Sequence, residues 1–93
     1  MHEPILVYKH STRCPLSAFA QREIQGLGPT LLVYTLIVQD TPELSHDVAQ
    51  TLGVPHETPQ AIILLGGNVR EVFSHGRVTA EALQNAVQDL QVE

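Results

Sequence analysis

A short apolar run, a polar turn and a helix-spaced apolar pattern follow one another in the first 28 residues. The run at residues 5–8 is continuous in apolar side chains, as buried strands tend to be. The polar turn covers residues 10–13, and the helix is expected to start at Cys14 with Pro15 in its first turn, where the missing N–H of a proline costs nothing. The Gly- and Pro-rich segment 26–29 then ends the helix. The chain therefore begins with a strand–turn–helix unit that carries a cysteine at its turn.

The next part of the chain predicts a second strand and a second helix. Residues 31–38 form the longest apolar run, which predicts a strand with both faces covered. Thr41 or Asp40 is a candidate cap for the helix that follows, with Pro42 at its first position and Gly53 at its end. Two strands joined by a helix are expected to be parallel, with a right-handed crossover.

The last third of the chain predicts a hairpin and a final helix. Residues 61–65 and 69–74 are apolar runs separated by a Gly66-Gly67 turn, the pattern of an antiparallel hairpin. Thr79 is expected to cap the last helix. The order βαβαββα predicts one α/β domain over residues 1–93, a four-stranded mixed sheet with helices on both faces. With a cysteine after strand one and a proline before strand three, this arrangement is thioredoxin-like.

The charge distribution limits the classes of partner. The formal net charge is −5 at pH 7, which argues against binding to nucleic acid or to an acidic membrane, since both require a basic face. Three of the five basic residues come early, at Lys9, Arg13 and Arg22, so we expect a positive neighbourhood that suits a small anionic thiol. No run reaches transmembrane length and one cysteine cannot form an internal disulfide, so a reducing cytoplasm is the expected location.

Cys14 is the candidate nucleophile. A thiol at a helix start lies beside unpaired N–H groups and the positive end of the helix dipole, and neighbouring cations act in the same direction. The candidate cations are Arg13, Lys9 and His10. The alternative is a small, buried and inert cysteine, but the turn position, the polar approach and the following Pro15 favour the reactive thiol.

Ser17 lies one helical turn after Cys14, where dithiol oxidoreductases carry a second cysteine. A serine cannot resolve a mixed disulfide, so an adduct on Cys14 requires a second thiol from outside the chain. The Ser17 hydroxyl either hydrogen-bonds the thiolate, which favours the charged form, or bonds its own helix backbone, and the sequence leaves both open. The histidines show no metal-ligand spacing, and we expect no metal site.

Three segments of the chain resemble the monothiol bacilliredoxins, the YtxJ-like family. They are Lys9-His10-Ser11-Thr12-Arg13-Cys14-Pro15-Leu16-Ser17, Leu52-Gly53-Val54 and Glu57-Thr58-Pro59-Gln60. The similarity extends from Ile5 to about Val87, and its most specific part is the Cys-Pro-x-Ser tetrad at 14–17. It implies a thioredoxin fold and a thiol–disulfide oxidoreductase.

The resemblance also implies a reaction and its participants. Cys14, with Ser17 and Arg13 beside it, would remove bacillithiol from S-bacillithiolated cytosolic proteins. Bacillithiol would serve as thiol co-substrate without any bound cofactor, and a flavin-dependent bacillithiol disulfide reductase would act downstream. A cis Thr58–Pro59 bond is implied beside the cysteine, with the Thr58 backbone free to pair with substrate. The residues expected to bind substrate are Lys9, His10, Pro15, Thr58 and Pro59.

Two features depart from the family pattern, and two other functions stay open. Arg13 replaces the threonine that usually precedes the cysteine, which concerns substrate preference. Relatives commonly carry a helix before strand one, so one sheet face here is expected to be less covered, which favours a dimer or a shorter first strand; the expected state is a monomer or a weak dimer. The other functions are an iron–sulfur protein like the monothiol glutaredoxins, which have glycine in place of Pro15, and a non-enzymatic stress or adaptor protein.

Overall fold

The computed structural model describes residues 3–28 and 31–92. Its elements follow the predicted order, with a short 3-10 turn, His75–Arg77, before the last helix. The strands and helices are β1 (Ile5–His10), α1 (Pro15–Gln25), β2 (Leu32–Ile37), α2 (Pro42–Leu52), β3 (Gln60–Leu65), β4 (Asn68–Ser74) and α3 (Ala80–Gln91). β1 is longer than the sequence predicted, so Lys9 and His10 belong to the strand and not to the turn.

The four strands form one mixed sheet in the order β2-β1-β3-β4. β1 pairs with β2 in parallel and with β3 in antiparallel orientation, and β3 and β4 form the antiparallel hairpin. Because successive side chains of a strand point to opposite faces, Tyr8 and His10 share one face of the sheet and Lys9 lies on the other. This alternation decides where each polar residue of β1 ends up.

The face that carries Tyr8 is covered by α1 and α3, and we call it the α1/α3 face. It holds the hydrophobic core, whose members are Leu6, Tyr8, Ala20, Ala61, Ile63, Val78 and Leu83. The two helices are also joined directly, since Glu23 Oε1 accepts a hydrogen bond from the backbone N–H of Ala80 at 3.0 Å. Full burial of a leucine such as Leu83 contributes about 1.5–3 kcal/mol, so this face is the main apolar source of stability.

The face that carries Lys9 is covered by α2, and we call it the α2 face. Lys9 Nζ donates a hydrogen bond to Ser45 O of α2 at 3.1 Å, near the carboxyl end of β1. The prediction that both faces of the second strand are covered is wrong, because Leu32 and Tyr34 are each 54% exposed. β2 is an edge strand whose first residue pairs with Ile5, at the end of the sheet away from the α2 contact with Lys9.

The turn and cap signals in the sequence are largely confirmed. Gly66 and Gly67 have φ of 61° and 82°, and the two central residues of a type I′ hairpin turn both require positive φ. Thr79 caps α3, since its Oγ1 accepts a hydrogen bond from the Ala82 N–H at 3.2 Å. Thr41 occupies the cap position of α2, but its hydroxyl donates to Ile37 O at 3.3 Å and does not cap the helix.

Candidate active site

Cys14 lies at the N-cap of α1, directly after the polar turn. Its backbone is extended, with φ −114° and ψ 121°, and its side chain is partly exposed. The backbone N–H of Ser17 lowers the pKa of the Cys14 thiol below its ordinary value, while partial burial opposes it and the Leu16 N–H and the Ser17 hydroxyl support it. The start of α1 therefore stabilises the thiolate, which is the reactive form of cysteine.

Ser17 is fully buried, and its hydroxyl faces the turn before the thiol. Ser17 Oγ accepts a hydrogen bond from the backbone N–H of Ser11 at 3.2 Å, and the Ser17 hydroxyl is one of the groups that lower the pKa of the Cys14 thiol. Of the two alternatives that the sequence left open, the geometry favours the hydroxyl that supports the thiolate. The same hydroxyl also joins the turn to the first turn of α1.

The structure places Lys9 and His10 away from the positions that the sequence predicted. Lys9 is fully buried on the α2 face, where its Nζ bonds Ser45 O at 3.1 Å and His56 Nδ1 at 3.2 Å. His10 is buried on the opposite face, with its ring centroid 5.7 Å from that of Tyr8. Both residues extend β1, so the pleat of the strand separates them and removes both from the surface.

Arg13 and Pro15 flank the thiol, and both are exposed. The positive neighbourhood expected from the sequence is thus reduced to Arg13, since Lys9 and His10 point into the interior. Hydrogen bonds at the helix start, and not neighbouring cations, account for the lowered pKa of Cys14. A sulfur that approaches the thiol from solvent meets these two exposed side chains.

Tyr8 is a buried polar group beneath the start of α1. Its hydroxyl donates to Ser17 O at 3.1 Å and lies 2.9 Å from His10 Nδ1. Because a hydroxyl has one proton, His10 Nδ1–H is the donor in the second contact. Burial raises the pKa of Tyr8 to about 12, and the charge of Cys14 acts in the same direction. The hydroxyl therefore stays neutral at physiological pH.

Gln39, just after β2, holds the turn that carries the thiol. Its Oε1 accepts from the Thr12 N–H at 3.2 Å, and its Nε2 donates to Ser11 Oγ at 2.8 Å. Ser11 Oγ also accepts from the Arg13 N–H at 3.3 Å. The conformation of the turn is thus fixed by hydrogen bonds that leave Cys14 accessible.

The loop before β3 contains a cis peptide bond between Thr58 and Pro59. Pro59 O accepts a hydrogen bond from the His75 N–H at 2.8 Å, and the His75 Nε2 and Glu57 Oε2 atoms are 2.6 Å apart. These contacts join the proline loop to the 3-10 turn, which packs against α1. Since the start of β3 pairs with the end of β1, the proline loop and the thiol lie at the same end of the sheet.

Several residues that support the site were missed from the sequence. Tyr8 was missed because His10 was placed in the turn; once β1 extends to His10, a residue two positions earlier must share its face. Gln39 and the Glu57–His75 pair had no signal in the sequence, since each is far from Cys14 in sequence and only the sheet order brings them close. Among the described residues, no group of three His, Cys, Asp or Glu side chains is placed to hold a metal ion.

The sheet order, the thiol at a helix start and the proline loop define a protein of the thioredoxin fold. A solved structure described as an oxidoreductase with a thioredoxin fold matches with a TM-score of 0.84 and 32% identity, over 90% of this chain and 77% of its own. Fasciola hepatica thioredoxin matches with a TM-score of 0.72 and 16% identity, over 94% of this chain and 80% of its own. Mitochondrial thioredoxin 3 from Saccharomyces cerevisiae has a TM-score of 0.70 and 16% identity, with coverage of 96% and 80%.

A family model narrows this assignment. The model of monothiol bacilliredoxin BrxC matches residues 1–83. The chain therefore belongs to the monothiol bacilliredoxin family, and it is a thiol oxidoreductase of the thioredoxin fold. Within the part of the chain that the structure describes, no helix has the length and apolar character to cross a membrane.

Proposed function

We propose that the protein removes bacillithiol from protein mixed disulfides through Cys14 alone. The Cys14 thiolate attacks the bacillithiol sulfur, the substrate protein leaves as its thiolate, and Cys14 forms a mixed disulfide with bacillithiol. A second bacillithiol thiolate then attacks the bacillithiol sulfur of this adduct. Cys14 leaves as the thiolate, and bacillithiol disulfide is the product. Each step forms one S–S bond and breaks one. Overall, one mixed disulfide and one free bacillithiol thiol give one protein thiol and one bacillithiol disulfide, so the reduction of the protein sulfur is balanced by the oxidation of the free bacillithiol.

The observation that carries this proposal is the pairing of an activated thiol with a serine one helical turn later. The hydrogen bonds at the helix start hold the pKa of Cys14 below its ordinary value, which increases the thiolate fraction available for attack. Ser17 occupies the place of a resolving thiol and has only a hydroxyl to offer. The second half of the reaction therefore needs a thiol supplied from solution.

The residues proposed to contact the substrate are those that lie around the thiol and are accessible to it. Arg13 supplies a positive charge for a small anionic thiol, and Pro15 flanks the sulfur on the other side. The Thr58 backbone precedes the β3 ladder, which begins at Gln60, and we assign it to pair with the extended part of the substrate. Lys9 and His10 are not among these contacts, because both side chains are buried.

The proposal also names the partners of the reaction. The substrates are S-thiolated proteins of a reducing cytoplasm, and a flavin-dependent reductase would return bacillithiol disulfide to the thiol. Bacillithiol is chosen over other low-molecular-weight thiols because the chain belongs to the monothiol bacilliredoxin family.

Intact-mass spectrometry tests the first step. Reduced protein mixed with bacillithiol disulfide is expected to gain one bacillithiol at Cys14, faster than it gains glutathione from glutathione disulfide. Cys14→Ser is expected to gain nothing. The proposed substrate is wrong if the wild type forms no bacillithiol adduct, or forms the glutathione adduct at least as fast.

A Ser17→Cys variant tests the monothiol step. The adduct of the wild type is expected to persist until free bacillithiol is added, whereas the new thiol of the variant releases bacillithiol without any addition. Decay of the wild-type adduct in the absence of added thiol would contradict the mechanism.

A further inference from the structure

Lys9, the sole lysine of the chain, is buried, and the residues that the structure describes supply it with no counter-ion. It has no exposed surface, and its Nζ donates to Ser45 O at 3.1 Å and to His56 Nδ1 at 3.2 Å. Neither acceptor carries a negative charge, and no carboxylate among residues 3–28 and 31–92 forms an ion pair with the ammonium. Burial lowers the pKa of Lys9, which is the direction expected for a cation that has lost its water and gained no anion.

A cavity of about 270 Å³ lies next to the two residues that accept hydrogen bonds from Lys9, although Lys9 itself does not line it. Its lining residues are Val38, Pro42, Ser45, His46 and His56, so both hydrogen-bond partners of Lys9 belong to its wall. Ser45 is only 2% exposed, yet its hydroxyl has no hydrogen-bond partner. Buried polar groups are almost always paired, so this hydroxyl is an unused donor next to an uncompensated positive charge.

We propose that this cavity binds the carboxylate of a small organic acid. The carboxylate accepts a hydrogen bond from His56, whose proton lies on Nε2 because Nδ1 accepts from Lys9. It accepts a second from the Ser45 hydroxyl once that side chain rotates toward the cavity, because in the free protein the Ser45 oxygen has almost no accessible surface. The Lys9 ammonium, directly behind these two residues, supplies the balancing charge. Val38 and Pro42 form apolar walls that contact the carbon chain of the ligand.

The cavity fits a short carboxylate better than an inorganic anion or water. Its volume of about 270 Å³ is just below the roughly 300–1,000 Å³ of most ligand pockets, which suits a small ligand. A strongly hydrated phosphate or sulfate would lose water against the apolar walls without replacing it. Water alone would satisfy the hydroxyl but would leave the ammonium uncompensated. None of the lining residues takes part in the proposed reaction, so the site does not depend on the proposed function.

Nuclear magnetic resonance with labelled lysine tests the proposal directly. Because the chain has one lysine, a protein grown with ¹³C,¹⁵N-lysine gives a single set of side-chain signals. Titration with sodium butanoate, at constant ionic strength, is expected to shift the Lys9 side-chain signals and the backbone amide signals of Ser45 and His56 in a saturable way. The same titration with 1-butanol, a neutral molecule of similar shape, is expected to give at least about tenfold weaker binding.

Three variants distinguish the contributions of the Lys9 charge and the Ser45 hydroxyl from a non-specific effect of salt. Lys9→Met is expected to abolish the preference for butanoate over butanol, and Ser45→Ala to weaken butanoate binding several-fold. Arg22→Met removes an equal charge from the exposed surface of α1 and should leave binding unchanged. Non-saturable shifts, equal affinity for butanol, or a retained preference in Lys9→Met would each overturn the proposal. Sodium phosphate that binds as tightly as butanoate would overturn the assignment to a carboxylate.

Discussion

Each face of the sheet contains a buried serine, and the two serines differ in what they bond. On the α1/α3 face, the Ser17 hydroxyl accepts from the Ser11 N–H and supports the Cys14 thiolate. On the α2 face, Ser45 is buried to a similar degree, but its hydroxyl has no partner. The first face completes its hydrogen bonds within the chain, whereas the second keeps an unpaired hydroxyl and an uncompensated ammonium.

The α1/α3 face is also the one with the more complete apolar packing. The α1/α3 face holds the core around Leu6, Ile63 and Leu83, while Leu32 and Tyr34 remain exposed on the α2 face. Stability is therefore supplied mainly by one face, which also carries the thiol. The other face also buries Ile62 completely, so tolerance of substitution is expected there only at the exposed edge and at the polar positions Lys9 and Ser45.

Apolar substitutions should show the largest contrast. Leu83→Ala removes a fully buried side chain and is expected to lower the free energy of unfolding by about 2–5 kcal/mol, through lost burial and the cavity left behind. Leu32→Thr, on the exposed edge strand, is expected to change it by no more than about 0.5 kcal/mol. Urea denaturation measures both. A similar loss in the two variants would refute the view that the faces contribute unequally.

The difference between the two faces can also be tested on single hydroxyl groups, those of Ser17 and Ser45. Ser17→Ala leaves the buried Ser11 N–H unpaired and is expected to cost about 1–3 kcal/mol. It should also slow alkylation of Cys14 by iodoacetamide at neutral pH several-fold, because the pKa of the thiol rises when a donor to the thiolate is lost.

Ser45→Ala is the matched control for that experiment. It removes a hydroxyl without a partner, so stability should be unchanged or slightly higher, and the alkylation rate should stay the same. Equal destabilisation of the two alanine variants would mean that Ser45 is in fact paired in solution.

Lys9→Met tests the cost of the uncompensated ammonium. Replacing a buried charge by an apolar side chain of similar length is expected to stabilise the fold by roughly 1–2 kcal/mol at neutral pH, the lower part of the range for buried ionic groups. The pKa of Lys9 is lower in the folded protein than its ordinary value of 10.5, so the folded state disfavours the proton. This penalty is fully present below the folded pKa and disappears as pH rises through the unfolded pKa.

The advantage of Lys9→Met over the wild type should therefore shrink as denaturation is repeated at pH values that rise toward the ordinary lysine pKa of 10.5. An advantage that grows with pH, or a variant less stable than the wild type at neutral pH, would show that the ammonium is already balanced in the free protein.

Tyr8→Phe is expected to have the smallest effect. The variant loses the hydrogen bond to Ser17 O and the contact with His10, which together should cost about 0.5–1.5 kcal/mol. Since the pKa of Tyr8 is about 12, the hydroxyl is neutral near pH 7, and its loss should alter the Cys14 alkylation rate by less than the loss of the Ser17 hydroxyl. A larger effect on the rate would assign Tyr8 a direct role in activating the thiol.

The sequence predicted the elements well because they depend on local patterns. The strand before Cys14, the proline at the start of α1, the Gly66-Gly67 turn and the Thr79 cap all follow from neighbouring residues. The thiol and Ser17 were found for the same reason, since both belong to one helical turn.

The sequence did not predict the surroundings of the charges, which depend on tertiary structure. Lys9 and His10 were expected beside the thiol because they are close to it along the chain. Because β1 is two residues longer than predicted, both side chains lie inside the protein, on opposite faces of the sheet. Exposure of Leu32 likewise depends on β2 lying at the edge of the sheet, and no property of the apolar run itself encodes that position.

Because the only lysine is buried, the rate at which its amine is chemically modified reports on local opening of the fold. The ε-amine is accessible to an amine-directed reagent only when β1 and α2 separate, so its modification rate measures how often this part of the fold opens. Folded protein should be modified at this position at a rate set by local opening, and denatured protein at the rate of a free lysine. A ligand that occupies the neighbouring cavity would slow that chemistry in proportion to the time for which it holds the two elements together.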